Sequence, residues 1–283
     1  METALNEITL VLFTSIAPAG VIGFIMMAWV ALSTADKSRA DAASRHLVIP
    51  LALAITGLIA SATHLGTPAN ALYVISGIGR SPLSNEVVAA VAFLAIGGVY
   101  WIASFRDDMP KIVRRIWLAA ASVAGVAFVT FIALAYSVPS VPTWNLPPAP
   151  LTLWLCGLSS GPFVGLFGLL FAKQEPTRLQ MRTALGIAAV AAVANVAALA
   201  AEWGELGGIA TTIASAVELV PFFPASIIAY AALNAGAIVV ATLSPRLAET
   251  PRLIAIAAAA LLALAACFAV RFVFYSMHMT VGI

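Results

Sequence analysis

Charge is what this sequence has least of. Asp, Glu, Lys and Arg together make up 9% of its 283 residues, against roughly 25% in a soluble domain. With 62% hydrophobic residues and a mean hydropathy of +1.04, the chain has more apolar surface than a water-soluble core can hide. Lipid is therefore the expected solvent for most of it. Cysteine is nearly absent: Cys156 and Cys267 both lie inside long apolar runs. Two cysteines exclude a four-cysteine iron–sulfur site within this chain and argue against zinc. Both read as small buried hydrophobes. A net charge of +2 is too mild to suggest nucleic acid. The start, Met1 to Glu7, has two glutamates and no Lys or Arg. It lacks the basic opening of a secretory signal, so the first apolar run is expected to remain as a helix.

What the sequence does have is a series of long apolar stretches, at about 8–32, 47–65, 86–104, 116–138, 150–172, 183–203, 222–243 and 253–277. Spanning a hydrocarbon core takes about 20 residues of helix. A barrel would show short alternating strands instead. The expected fold is an all-α integral membrane protein of eight transmembrane helices, a single polytopic membrane domain over residues 1–283. The connections support that count. Segments 33–46, 105–115, 173–182 and 244–252 hold twelve of the fourteen basic residues, among them Lys37, Arg45, Arg114, Lys173 and Arg252. The other links and both termini carry Arg80 alone. By the positive-inside rule the basic links are cytoplasmic, which puts the N- and C-termini on the outer side.

The outward links have a different character. Residues 66–85 are rich in turn formers, and 139–150 hold five prolines around Trp144. Residues 204–221 are moderately apolar, with room for a short interfacial helix. Glycine and proline at this density indicate ordered, irregular structure. A docking surface for another protein and plain connection are both open readings of it. The small residues of 183–201 suit close helix packing in lipid.

Ionisable groups near membrane depth are costly and are therefore the functional candidates. They are His64, Glu86, Glu202, Glu205, Arg271 and His278, all near the outer end of a predicted helix. No charge sits near the middle of helices one, four, five or seven, so no continuous ion or proton path is visible. That weighs against a transporter or channel, which would also show broken helices. His64 closes helix two and Glu86 opens helix three, and consecutive helices are usually neighbours. A histidine beside a carboxylate suits proton acceptance from a weakly acidic hydroxyl. The plainer readings are an interfacial histidine bonded to a loop and a first-turn carboxylate that satisfies a helix end. Arg271 has two structural readings, snorkelling to the interface or pairing with Glu202 or Glu205. His278 reads as part of a frayed tail. His46 and His64 are eighteen residues apart on one helix, about 27 Å, and cannot ligate one iron. His64 and His278 share a side, which leaves a single haem open.

The runs His64-Leu65-Gly66-Thr67-Pro68 and Ser81-Pro82-Leu83-Ser84-Asn85-Glu86 resemble the paired signature of the DmsC family. These are the membrane anchor subunits of dimethyl-sulfoxide-reductase-type molybdoenzymes. Tyr136 followed by Val141-Pro142-Thr143-Trp144, and the ending Arg271-Phe272-Val273-Phe274-Tyr275, are similar to the family's pattern as well. The resemblance runs from helix one to the C-terminus and is least specific in the Ala-rich second half. It implies eight transmembrane helices in the bacterial cytoplasmic membrane, with no haem and no iron–sulfur cluster in this chain. It further implies oxidation of menaquinol and electron transfer to an iron–sulfur subunit carrying four [4Fe-4S] clusters. The next carrier would be a catalytic subunit with a molybdenum bis-pterin cofactor, docked on the outer face. The family's quinol-site histidine and glutamate fall on His64 and Glu86, and its adjacent glycine on Gly66. Ser84 and Arg271 are further candidates for the same site. Asn70 stands where a basic residue occurs in some relatives, a departure that touches the details of quinol contact. A passive membrane scaffold or a transporter-like protein, without its own quinol site, is the alternative.

Overall fold

The computed structural model describes residues 2–63, 73–211 and 215–279. Its helices are α1 (Glu2–Asn6), α2 (Ile8–Ser33), α3 (Lys37–Arg45), α4 (Val48–Ala62), α5 (Tyr73–Ser76), α6 (Pro82–Ala103), α7 (Lys111–Ala135), α8 (Pro148–Phe171), α9 (Arg178–Leu206), α10 (Ala216–Leu219), α11 (Phe223–Leu243) and α12 (Glu249–Ser276). Among the described residues eight helical stretches are long and apolar enough to cross a membrane, with α3 and α4 together forming the second.

Local chemistry sets the ends. Thr177 and Gln180 form a capping box at the start of α9, and Asp36 accepts from Ser38 N to cap α3. Helix α6 begins four residues before the apolar pattern suggests. Pro82 occupies its first turn, and Ser81 accepts from Ser84 N. Proline is favoured there because the first helical N–H has no partner to lose.

Helices α2 and α8 form the centre, buried on nearly every face. They run parallel, as first and fifth spans must. Pro18 meets Gly157, Ile22 meets Gly161 and Met26 meets Gly165, in matching four-residue steps. A Cβ on Gly157 would sit 2.9 Å from Cβ of Pro18, so the glycine stripe is what lets the backbones approach. On one flank α4 packs antiparallel to α2, and α6 and α7 pair beside them. On the other, α9 and α12 pack with α8 and α11 packs on α9 and α12, which gives two groups of four joined through α2 and α8.

The four basic links meet at one end. Arg45 pairs with Asp107 at 2.9 Å, and Arg114 pairs with Asp41. Arg39 donates to Glu175 O at 2.7 Å and to Gln180 Oε1 at 2.9 Å, and Arg252 pairs with Glu175. At the opposite end, where α2 begins and α12 ends, atoms of Glu86, Glu202, Arg271 and Tyr275 are buried without a hydrogen-bond partner.

Candidate functional site

Glu86 lies in the second turn of α6 rather than opening the helix as the sequence pattern suggested. Ser81 already caps α6, and Asn85 Oδ1 accepts from Gly79 N at 2.7 Å to close the turn before it. Gly79 has φ +79°, a conformation that favours glycine. The helix end is thus satisfied without Glu86, which removes the capping explanation for it. Its side chain is 1% exposed, and Oε2 has no hydrogen-bond partner. Such a group costs about 1–3 kcal/mol, and more when charged. A fold that keeps it needs a return from it.

The pairing of α6 with α7 shows what Glu86 faces. Phe93 stacks on Phe128 at 6.2 Å. In an antiparallel pair, two turns from Phe93 back to Glu86 match two turns from Phe128 on to Ala135 and Tyr136. Tyr136 is partly buried. Tyr275 and Glu86 both lie near enough to act on its phenol. Around Tyr136 the rings gather. Tyr275 is 5.5 Å away, Trp144 6.0 Å and Phe274 6.3 Å, centre to centre. Trp144 stacks on Phe274 and donates Nε1–H to its carbonyl at 2.8 Å. The proline-rich link is in this way bound to the last helix. The Tyr275 hydroxyl is buried without a partner, as is that of Ser137.

Arg271 completes the corner. It is 2% exposed, so it does not snorkel. Among the described residues no carboxylate forms an ion pair with it, so the expected bridge to Glu202 or Glu205 is absent too. Instead Nε donates to Thr14 Oγ1 on α2 at 3.2 Å, and the guanidinium lies 4.0 Å from the centre of the Phe274 ring. Cation–π contact of this kind contributes about 2 kcal/mol when desolvated. His278, expected in a frayed tail, packs on Trp144 at 4.7 Å.

Glu86, Tyr136, Tyr275 and Arg271 thus converge at the terminal end of α6, α7, α12 and α2. Ser84 does not join them. It is buried beneath the 77–80 turn, where a side chain on Gly77 would strike it. His64 and Gly66 lie outside the described residues. Thr14 and Tyr275 were missed as site residues by charge-based reasoning. The available signal was a hydroxyl near the same end of an otherwise apolar helix. A lipid-facing apolar groove of about 420 Å³, lined by Leu53, Thr56, Phe167 and Ala260, has no ionisable lining residue and offers no proton acceptor. Among the described residues no group of three or more His, Cys, Asp or Glu is placed to hold a metal.

The family of DMSO reductase anchor subunits, DmsC, matches residues 1–277. The chain belongs to the DmsC family. The C subunit of the anaerobic dimethyl sulfoxide reductase of Escherichia coli is 30% identical over 287 residues, a match spanning all of this protein and 98% of that one. The corresponding subunit of the Haemophilus influenzae reductase is 29% identical over 282 residues, with the same coverage. Membership makes the protein a DMSO-reductase-type membrane anchor, and its apolar helices are those of a multi-pass membrane protein. An anchor of this class implies catalytic and electron-transfer subunits beside it.

Proposed function

We propose that this DmsC-family protein is a quinol-oxidising anchor and that menaquinol is oxidised at the terminal end of α6. The observation that carries the reading is Glu86, a buried carboxylate with an unpartnered oxygen beside Tyr136. In this reading both termini face the outside of the cytoplasmic membrane. The outer surface built by the Trp144 link docks an iron–sulfur subunit of four [4Fe-4S] clusters. That subunit feeds a catalytic subunit with a molybdenum bis-pterin cofactor.

Quinol oxidation releases two protons and two electrons. The anchor's own part is to bind, orient and deprotonate. Glu86 accepts a hydrogen bond and then a proton at Oε2, and His64, beside Gly66 in the sequence motif, takes the second proton. The Tyr136 and Tyr275 rings wall the site and exclude water, while Arg271 fixes its positive charge beside them. The unpartnered oxygens of Glu86 and Tyr275 fit a ligand with two hydroxyls on an apolar ring. Ser84 acts by holding the 77–80 turn in place.

The test is Glu86→Gln and His64→Ala in the intact complex. Quinol-driven reduction should fall by about a hundredfold or more. Reduction driven by a water-soluble dye that feeds the partner subunits directly should be unchanged. Quinol-driven rates equal to wild type in both variants would favour a passive anchor and end this reading.

A further inference from the structure

Arg271 has a second neighbourhood, unused by the chemistry above. Together with Thr152 and Cys156 of α8, Glu202 of α9, Phe223 of α11 and Phe274 of α12, it lines a small cavity of about 10 Å³. That is the scale of a single water molecule. Two buried polar atoms of the lining have no partner, Oε1 of Glu202 and Nη2 of Arg271. Both side chains are almost wholly buried, at 1% and 2% exposure, and they make no ion pair with each other. An anion and a cation that share a cavity without touching meet the polar conditions for a bridging water. Glu202 Oε1 accepts, Arg271 Nη2 donates, and the Thr152 hydroxyl is a third partner, since its own proton goes to Ala149 O at 2.9 Å.

We infer that a water bound in this cavity links Glu202 to Arg271, and that Glu202 is a positioning residue for the quinol site. The inference rests on the quinol reading. The guanidinium is already held at Nε by Thr14 and on one face by Phe274. The water supplies the remaining tether at Nη2. The carboxylate supplies the countercharge, so the charge that Arg271 presents to the Phe274 and Tyr275 rings depends on Glu202. The other groups facing Glu202 are Glu205 on its own helix and Cys156 from α8. Helix α11 contributes apolar Phe223.

The experiment uses the intact complex with Glu202→Gln, which keeps an acceptor for the water but drops the charge, and Glu202→Leu, which removes both. Expected is a rise of about tenfold in KM for quinol in the Gln variant, with dye-driven turnover unchanged. In infrared difference spectra of quinol oxidation, a water O–H band that shifts in H2(18)O should be present in wild type and absent from Glu202→Leu. If the Leu variant does not assemble, the KM of the Gln variant decides. A wild-type KM in Glu202→Gln, or a water band unchanged in Glu202→Leu, overturns the inference. Should Glu86→Gln still abolish quinol oxidation in that case, this inference alone fails. Should Glu86→Gln also match wild type, the quinol reading fails with it.

Discussion

Nε of Arg271 donates to Oγ1 of Thr14 at 3.2 Å, and this bond ties the last spanning helix to the first. The Thr14 hydroxyl in turn donates to Leu10 O at 2.8 Å, so it accepts and donates at once. A buried cation is thereby fixed at the end of the bundle where Glu86 also lies. No carboxylate pairs with it directly among the described residues, and its charge stays available to the rings around it.

Removing that acceptor should be felt in stability. Thr14→Val keeps the shape but leaves a charged donor unpaired, at a cost of about 1–3 kcal/mol. Thr14→Ser retains the hydroxyl and should stay within about 0.5 kcal/mol of wild type. Denaturation midpoints in mild detergent compare the two. Equal midpoints for Val and Ser would mean that the bond contributes nothing.

Close packing of α2 on α4 gives a second prediction. A Cβ at Gly20 would stand 2.7 Å from Pro50 O and 2.8 Å from Ala54 N, both main-chain atoms that cannot swing aside. Gly20→Ala should therefore destabilise by about 1–3 kcal/mol. Gly98 has nothing within 4 Å of such an atom. Gly98→Ala should be neutral or stabilising, by up to about 1 kcal/mol, through helix propensity. The same detergent midpoints separate these outcomes.

The proposed orientation predicts a labelling pattern. Both native cysteines are buried, so introduced thiols should dominate. Ser140 and Lys173 are exposed at opposite ends of the bundle. A membrane-impermeant maleimide added to intact cells should label Ser140→Cys and should reach Lys173→Cys only after permeabilisation. The reverse pattern would invert the topology.

The number and alternation of the helices were legible in the sequence because a scarce residue class marked them. Basic residues such as Arg45, Arg114 and Arg252 cluster in every second link, and the structure brings those links together. The start of α6 was hidden because Ser81-Pro82-Leu83-Ser84-Asn85 has the composition of a turn. A Ser cap followed by proline in the first turn has that same composition. Glu86 was legible as a costly group, but its place in the second turn followed from that cap. Arg271 shows where sequence stops. Its charge announces a buried partner without saying which of seven other spanning helices supplies it. The partner proved to be a threonine from the opposite end of the chain and the face of a phenylalanine three residues on.

In the proposed reading quinol is oxidised at the terminal end of α6, beside Glu86. Its most direct test is photolabelling of the intact complex with an azido-naphthoquinone, followed by peptide mapping. Label is expected on 73–90 and 130–145, lost on competition with a quinol analogue and lowered in Glu86→Gln. Competable label confined to the basic end, at 105–115 or 173–182, would contradict it.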